Sequence, residues 1–537
     1  MTTLITRKLQ FNNAEQFKEE FAEPQPTISY VFIGNHVPYV DENTPPSLSD
    51  TVVTEKQAWD NMYAAKRVTG NDVELVIPKV IWTANTKYRQ YDDTSSIPTL
   101  LSANTQQNLK PMYVITAERN VYKCLSNNSS ANSTVKPTGD YTTSNGNIAT
   151  ADGYLWKYMF NVKPSNKFLT DGWIPAPTST DALDYGVNSQ GVVDGELTTI
   201  LVTQKGTNYR ELSNIKVDSF TSGQSTVRLA NTSNVLSWFS IPTLANLANM
   251  SISGTGISTG TYISQIYPAN GVIVLSSDAF STGGGNSNTV SITTRVYVDG
   301  DGVGINVYST LSNTDINASA NDANVANIYT VTIGTNYSRA NVLVFGSGTG
   351  ANARAILSPK FGHAYNPAKE LNANNVMIAV RIGEIDSSED GVISTSTTFR
   401  QFGLMRDPYK YGNTTPVTSA TANSVISQTT NLQLVSGPSY TLNEYVYQGD
   451  SPSNASAYGF LNSVTDSGTT VRLTKVVGTF VTGNPLIGAN SGVSRTVTST
   501  SNPTFQPYSG DMLYIENDTA TTRSDGQAEN IKMIVSF

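Results

Sequence analysis

Asp152-Gly-Tyr-Leu-Trp-Lys-Tyr-Met-Phe160 is the stretch whose reading decides the fold. Tyr154, Trp156, Tyr158 and Phe160 occupy every second position. Successive side chains of an extended strand point to opposite faces, so these four rings share one face. A face this aromatic predicts a strand packed into a core, with an interface stripe as the sharper alternative.

The same texture extends on both sides. Residues 28–33, 73–77, 112–115, 120–125 and 154–162 are short, apolar or aromatic runs bounded by turn residues, and read as strands. Two helices interrupt them. One spans 13–21, with Phe17 and Phe21 at i, i+4, and stops at Pro24-Gln-Pro26. The other begins on a capping-box pattern, Thr54-Glu-Lys-Gln57, carries Trp59, Met62 and Tyr63 on one face, and ends at Gly70. Residues 41–50, with Pro45-Pro46, and 127–146, rich in Ser, Thr and Asn, read as loops.

Near residue 196 aromatics thin out while Gly, Ser, Thr and Asn rise. Val202-Thr-Gln-Lys-Gly-Thr-Asn-Tyr209 recurs as Val331-Thr-Ile-Gly-Thr-Asn-Tyr337, a strand running into a turn and an aromatic, used twice. Denser sequence returns near Lys360, and a second sparse section covers 425–505. The expected organisation is 1–195 core with helices, 196–355 β insertion, 356–424 core continuation, 425–505 second β insertion and 506–537 closing core strands. The expected fold class is mainly β: β-sandwich core domains with a few short helices and two inserted β modules. Ile531, Met533, Val535 and Phe537 alternate at the C-terminus, predicting a paired strand with Tyr154–Phe160 as candidate neighbour.

The totals narrow the function. The chain has 537 residues, 14% of them charged, with net charge −8. Charge is replaced by neutral polar residues, which suits turns, β-structure and surfaces buried against partners. The acidic balance argues against nucleic acid, whose phosphates need clustered Lys and Arg. The opening residues lack the apolar run of a signal peptide and no stretch has the length of a membrane span, so synthesis and folding in the cytoplasm are expected. One cysteine, Cys124, cannot form an intrachain disulfide.

Searching for chemistry yields little. Two His and one Cys cannot make a Cys/His zinc site. His36 and His363 lack an i+3 or i+4 partner and read as loop histidines. Gly346-Ser-Gly-Thr-Gly350 resembles a dinucleotide loop, but the stretch after it reaches Pro359 too soon for a phosphate-binding helix. Asp299-Gly-Asp-Gly302 lacks the rest of a calcium loop and reads as a β-turn. Glu384, Asp386, Glu389 and Asp390 could serve a glycosidase only if two faced each other across a cleft. No catalytic, cofactor-binding or metal-binding residue is assigned, and no enzyme activity is expected.

Several segments taken in order resemble one family, the gene product 8 baseplate wedge protein of contractile-tailed bacteriophages. They are Tyr30-Val-Phe-Ile-Gly34, the Pro45-Pro46 loop before Trp59, Leu75-Val-Ile-Pro78 with Trp82, Val121-Tyr-Lys-Cys-Leu125, and the aromatic stretch ending at Phe160. Trp173-Ile-Pro-Ala-Pro177, Phe399-Arg-Gln-Phe402, Arg406-Asp-Pro408, Ser509 to Asn517 and Glu529 to Phe537 follow. The resemblance covers roughly 1–190, 360–420 and 505–537 and departs from the family at the two insertions. It marks Trp59, Cys124, Tyr154, Trp156, Tyr158, Phe160, Phe399, Tyr514 and Phe537 as structural motif residues. It implies a non-catalytic homodimer that contacts other wedge proteins in the virion tail, assembled in the host cytoplasm. No cofactor, nucleic acid, membrane or small-molecule substrate is implied. The alternatives are a receptor-binding adhesin of the tail, which the insertions favour, and a polysaccharide-degrading tail enzyme.

Overall fold

A computed structural model describes residues 6–23, 27–180, 191–230, 245–283, 289–312, 323–383, 397–436, 439–465, 469–524 and 528–537. The protein is mainly β: strands dominate, with four α-helices among the described residues. Two compact units emerge. One comprises Met1–Pro78, Asn166–Ala176 and Asn372–Phe537; the other comprises Lys79–Ser165 and Pro177–Leu371. The division differs from the sequence boundaries, because 79–165 packs with 177–371 rather than with 1–78.

The first unit contains two open sheets and a barrel. Ser29–Gly34 lies between Met62–Arg67 and Thr398–Arg406. Val425–Ser427 and Asp511–Thr522 are the edges of this five-stranded sheet. All six residues of Ser29–Gly34 are buried, so both faces of the strand are covered. A four-stranded sheet runs Trp173–Pro175, Val73–Pro78, Asn375–Gly383, Ala528–Ser536. The Arg7–Glu20 helix packs on it, with Lys18 bonded to Glu74 at 2.6 Å. The second helix is Val52–Asn61, capped by the Thr51 side chain, which accepts from the Thr54 amide. It stops at Asn61, earlier than expected. Met62 and Tyr63 are extended and open the strand paired with Ser29–Gly34, so sheet pairing overrides the helical pattern. Gly34 makes that corner possible, since a Cβ there would sit 2.7 Å from the Asn61 carbonyl oxygen. Strands between Thr430–Leu434 and Ser494–Ser501 close a six-stranded barrel around Leu432, Val446, Leu461, Leu473 and Leu486.

In the second unit, Tyr154–Asn161 pairs with Asn120–Asn127, which pairs with Tyr113–Ile115; Asn147–Ala149 completes the sheet. Tyr154, Trp156 and Tyr158 enter one cluster with Tyr88, Tyr122 and Cys124, and Phe160 is fully buried, so the stripe is core.

The recurring Gly-Thr-Asn-Tyr turn proves more interwoven than a hairpin used twice. Ile200–Thr207 pairs with Thr349–Ala355, and Val325–Thr335 with Val303–Leu311, within one six-stranded sheet. Arg295–Gly300 pairs with Ala340–Phe345 and also lies beside Val303–Leu311, so the sheet curls toward closure. The two copies are related by an internal two-fold. Ile200 pairs with its equivalent Ile328, and Tyr297 with its equivalent Leu343. Even the bulge recurs, between Val202 and Gln204 in one pairing and at Asn306/Val307 in the other. Gly206 and Gly334 share left-handed backbone (φ 65° and 63°), as do Asn208 and Asn336 (both φ 62°). Each tyrosine ring is held by glycines of the other copy: a Cβ on Gly348 would lie 2.5 Å from Tyr209, and one on Gly302 2.4 Å from Tyr337. The middle residue of each Gly-X-Gly link ties down the facing turn. Ser347 accepts from the Arg210 amide, and Asp301 from the Ser338 and Arg339 amides. The Ser338 hydroxyl, which also donates to Asp301, together with these amides holds the Asp301 carboxyl down at about 2. Asp299–Gly302 is therefore a structural turn, and Gly346–Gly350 leads into a strand.

After Tyr209 the chain leaves this sheet, builds two three-stranded sheets between Leu212–Lys216 and Thr289–Thr293, and returns at Arg295. Among the described residues, their core, from Leu212 to Ile292, contains no buried residue from elsewhere. At the equivalent place in the second copy, only Ser338 and Arg339 separate Tyr337 from the next strand.

The C-terminal strand Ala528–Ser536 pairs in unbroken register with Asn375–Gly383, not with Tyr154–Phe160, which belongs to the other unit. Ile531 and Met533 are buried, whereas Val535 and Phe537 are half-buried. Phe537 packs 5.3 Å from Phe17.

Two outcomes follow from these cores. Residues 210–294 expressed alone should fold, giving dispersed amide resonances and a cooperative melt, because their core is self-contained; a spectrum of unfolded chain would refute it. Met533→Asp should abolish soluble expression or sharply lower the melting temperature, since it forfeits about 1.5–3 kcal/mol of burial and adds an unpaired buried carboxylate. Lys532→Asp, on the exposed face, should change the melting temperature little.

Candidate functional site

The densest chemistry of the second unit lies behind the aromatic stripe. Lys123 and Lys157 are direct cross-strand partners, exposed at 0% and 1%. Like charges facing each other in a sheet repel, and burial removes the water that would screen them. Two carboxylates answer them. Glu370, from the Pro367–Glu370 helical turn, accepts from Lys123 Nζ at 2.8 Å, and Glu196 lies 3.6 Å from Lys157 Nζ. Lys157 also donates to the carbonyls of Asn145 and Gly191. His363 Nδ1 sits 3.0 Å from Lys123 Nζ, and the His363 amide donates to Glu196. The Tyr91 ring lies under the Lys123 ammonium at 4.0 Å.

Burial pushes the Glu370 carboxyl up, but the Lys123 charge outweighs it and holds the group at about 2. Burial pushes His363 down to about 3, reinforced by the charge on Lys123, so its ring is neutral. Burial raises Glu196 against the pull of Lys157. A lysine, a histidine and two carboxylates resemble a catalytic set, yet each is sealed from solvent. The arrangement can pin segments together; it offers a substrate no approach.

His36 is the other histidine that read as a loop residue. It is buried in the first unit, its Nδ1 2.5 Å from Asn443 Oδ1 and its Nε2 2.6 Å from Thr474 Oγ1, both in the barrel section. Its carbonyl accepts from Arg400, which also binds Glu42. Burial lowers its ring to about 4. Both histidines are thus structural anchors. Among the described residues no group of His, Cys, Asp and Glu is arranged to hold a metal.

What the first unit leaves open is a cleft of about 750 Å³. Its walls are 407–416 and 506–511, segments joined by the Gln506 amide donating to the Tyr409 carbonyl and the Tyr409 amide to Ser509 Oγ. Tyr409, Tyr508, Pro416 and Pro507 line it together with Asp407 and Asp511. Asp407 and Tyr508 both hold left-handed backbone (φ 50° and 61°), uncommon for Asp and strained for Tyr. Tyr508 donates to Asp60 at 2.6 Å, which pushes its hydroxyl up to about 12. Arg406 pairs with Asp511 at 3.1 Å. The cleft offers rings, carboxylates and amides to a bound chain. A glycosidase acid needs a carboxyl shielded from water, whereas Asp511 is 65% exposed and ion-paired.

Of the motif residues, Trp59 is buried with Tyr30, Phe32 and Met405, Phe399 is buried in Thr398–Arg406, and Cys124 is fully buried, its thiol pushed well up by burial. Tyr514 is half-buried and donates to Glu516. None of the nine lines the cleft, although Arg406-Asp-Pro408 and Ser509-Gly-Asp511 meet there. The carboxylates between Glu384 and Asp390 lie outside the described residues. Sequence reasoning missed Lys123, Lys157, Glu196 and Glu370; lysines at matched positions of two apolar strands were the available signal. No protein-family model matches this chain, and no curated protein is significantly similar to it.

Removing one charge of the buried centre strands its partner. Lys123→Met should destabilise the second unit by about 3–5 kcal/mol, and Lys123→Met with Glu370→Gln should recover most of that loss. Denaturant melts of the single and double variants test this, and equal losses would refute the coupling.

Proposed function

We propose that this chain is a non-catalytic structural subunit of a contractile phage tail, a baseplate wedge protein that binds a second copy of itself and other wedge proteins. The observation that carries the reading is where the resembling segments lie. Tyr30–Gly34, Phe399–Phe402 and Asp511–Asn517, hundreds of residues apart, fall on three consecutive strands of one sheet. Leu75–Pro78, Trp173–Pro175 and Glu529–Ser536 fall within the other sheet of the same unit. Those six pieces, which resemble one family in order, thus build the two open sheets of one unit, while Val121–Leu125 and Tyr154–Phe160 pair with each other in the second unit. The segments without the resemblance make separate barrels and modules. The consumption of both histidines and the buried lysines in structural bonds supports a scaffold over an enzyme.

One observation favours the adhesin reading. Tyr308 and Tyr329 are cross-strand partners in the interwoven sheet, stacked at 5.3 Å and about half exposed, with Val331 exposed at the bulge next to them. Exposed aromatic patches mark binding surfaces. Electron microscopy of tail particles labelled with an antibody to this chain separates the readings. Label at the baseplate is expected; label at fibre tips would replace the wedge assignment with the adhesin.

A further inference from the structure

The Asp511–Thr522 strand is an edge of its sheet, paired on one side with Thr398–Arg406. Two concavities follow one another along it. The cleft described above ends at Asp511. A second groove, about 250 Å³, is lined by Leu48, Ser49, Asp50, Thr51, Thr54, Glu55 and 512–515. Every charged residue lining either one is acidic: Asp407 and Asp511 in the first, Asp50 and Glu55 in the second. Asp511 is ion-paired with Arg406, and Asp407 forms no ion pair among the described residues.

We infer that this edge is the docking site for an extended, arginine-bearing segment of a partner protein. An extended chain can follow a sheet edge, adding main-chain bonds while its alternate side chains enter pockets. The pockets specify what those side chains are. A carboxylate beside tyrosine rings suits a guanidinium, which bonds the oxygens in plane and stacks on the rings. A second copy of this strand fits poorly, because Asp511, Glu516 and Asp518 would bring only more negative charge. The proline walls add apolar surface without amide donors that would compete for the segment's carbonyls. The inference does not depend on the wedge assignment, because the lining chemistry alone specifies the ligand.

The test uses the purified full chain and short fluorescent peptides alternating Arg with Thr, Lys with Thr, or Glu with Thr, read by anisotropy. The Arg peptide should bind saturably and more tightly than the Lys peptide, and weaken as salt rises from about 50 to about 300 mM. Asp407→Asn with Asp50→Asn should weaken it about tenfold, and Asp171→Asn, an exposed control elsewhere in the unit, should not. Tyr508→Gly, which suits the left-handed backbone and so keeps the fold, should also weaken it. Hydrogen exchange of the unaltered protein should show residues 511–515 protected on adding the Arg peptide. Absent binding, equal loss with Asp171→Asn, equal binding of the Glu peptide, or protection elsewhere in place of 511–515 would each overturn the inference.

Discussion

Lys123 and Lys157 face each other across adjacent strands, both sealed from bulk solvent. That single arrangement dictates much of the second unit. A sheet carrying two buried ammonium groups on one face cannot be closed by apolar packing alone; it needs carboxylates delivered at the right height. They come from chain far away in sequence, Glu196 just before the swapped sheet and Glu370 just after it. The sheet and the interwoven strands are thereby tied into one body at both ends. The opposite face of the same strands carries Tyr122, Cys124, Tyr154, Trp156 and Tyr158, so a buried polar layer and an aromatic core share one sheet.

How far the sequence could reveal this depends on the period of each signal. Alternation at Tyr154, Trp156, Tyr158 and Phe160 is local, and it places the strand and its buried face. The Val52–Asn61 helix is legible by its apolar residues, but its end is not. Met62 and Tyr63 fit the helical stripe equally well, and a strand thirty residues earlier claims them. The Gly-Thr-Asn-Tyr repeat is visible, while its architecture is hidden. The matching halves, Val296-Tyr-Val-Asp-Gly-Asp-Gly302 and Val342-Leu-Val-Phe-Gly-Ser-Gly348, recur at a different spacing because the 212–293 module sits inside the first copy. The contacts that join 79–165 to 177–371, the buried Lys–Glu pairs among them, link residues far apart in sequence and carry no periodicity, so composition does not reveal them.

Reactive side chains and accessible space are divided between different parts of the protein. The histidines and the paired lysines are spent on holding strands together, far from solvent. The concavities carry carboxylates, tyrosines and prolines. Rigidity comes from satisfied buried charge, while the open concavities run along a sheet edge paired on one side.

The interwoven six-stranded sheet has a bearing on how the chain acquired its length. Its two equivalent junctions follow Tyr209 and Tyr337; one is bridged by Ser338 and Arg339, the other carries a module with its own core. The glycine cradles clamp both tyrosines the same way, so the sheet is indifferent to what hangs between a clamp and the next strand. Such a frame is a socket. Cargo can be gained, lost or exchanged at either port without recutting the frame, because an insertion there leaves the strand pairings and the glycine cradles of the host sheet in place.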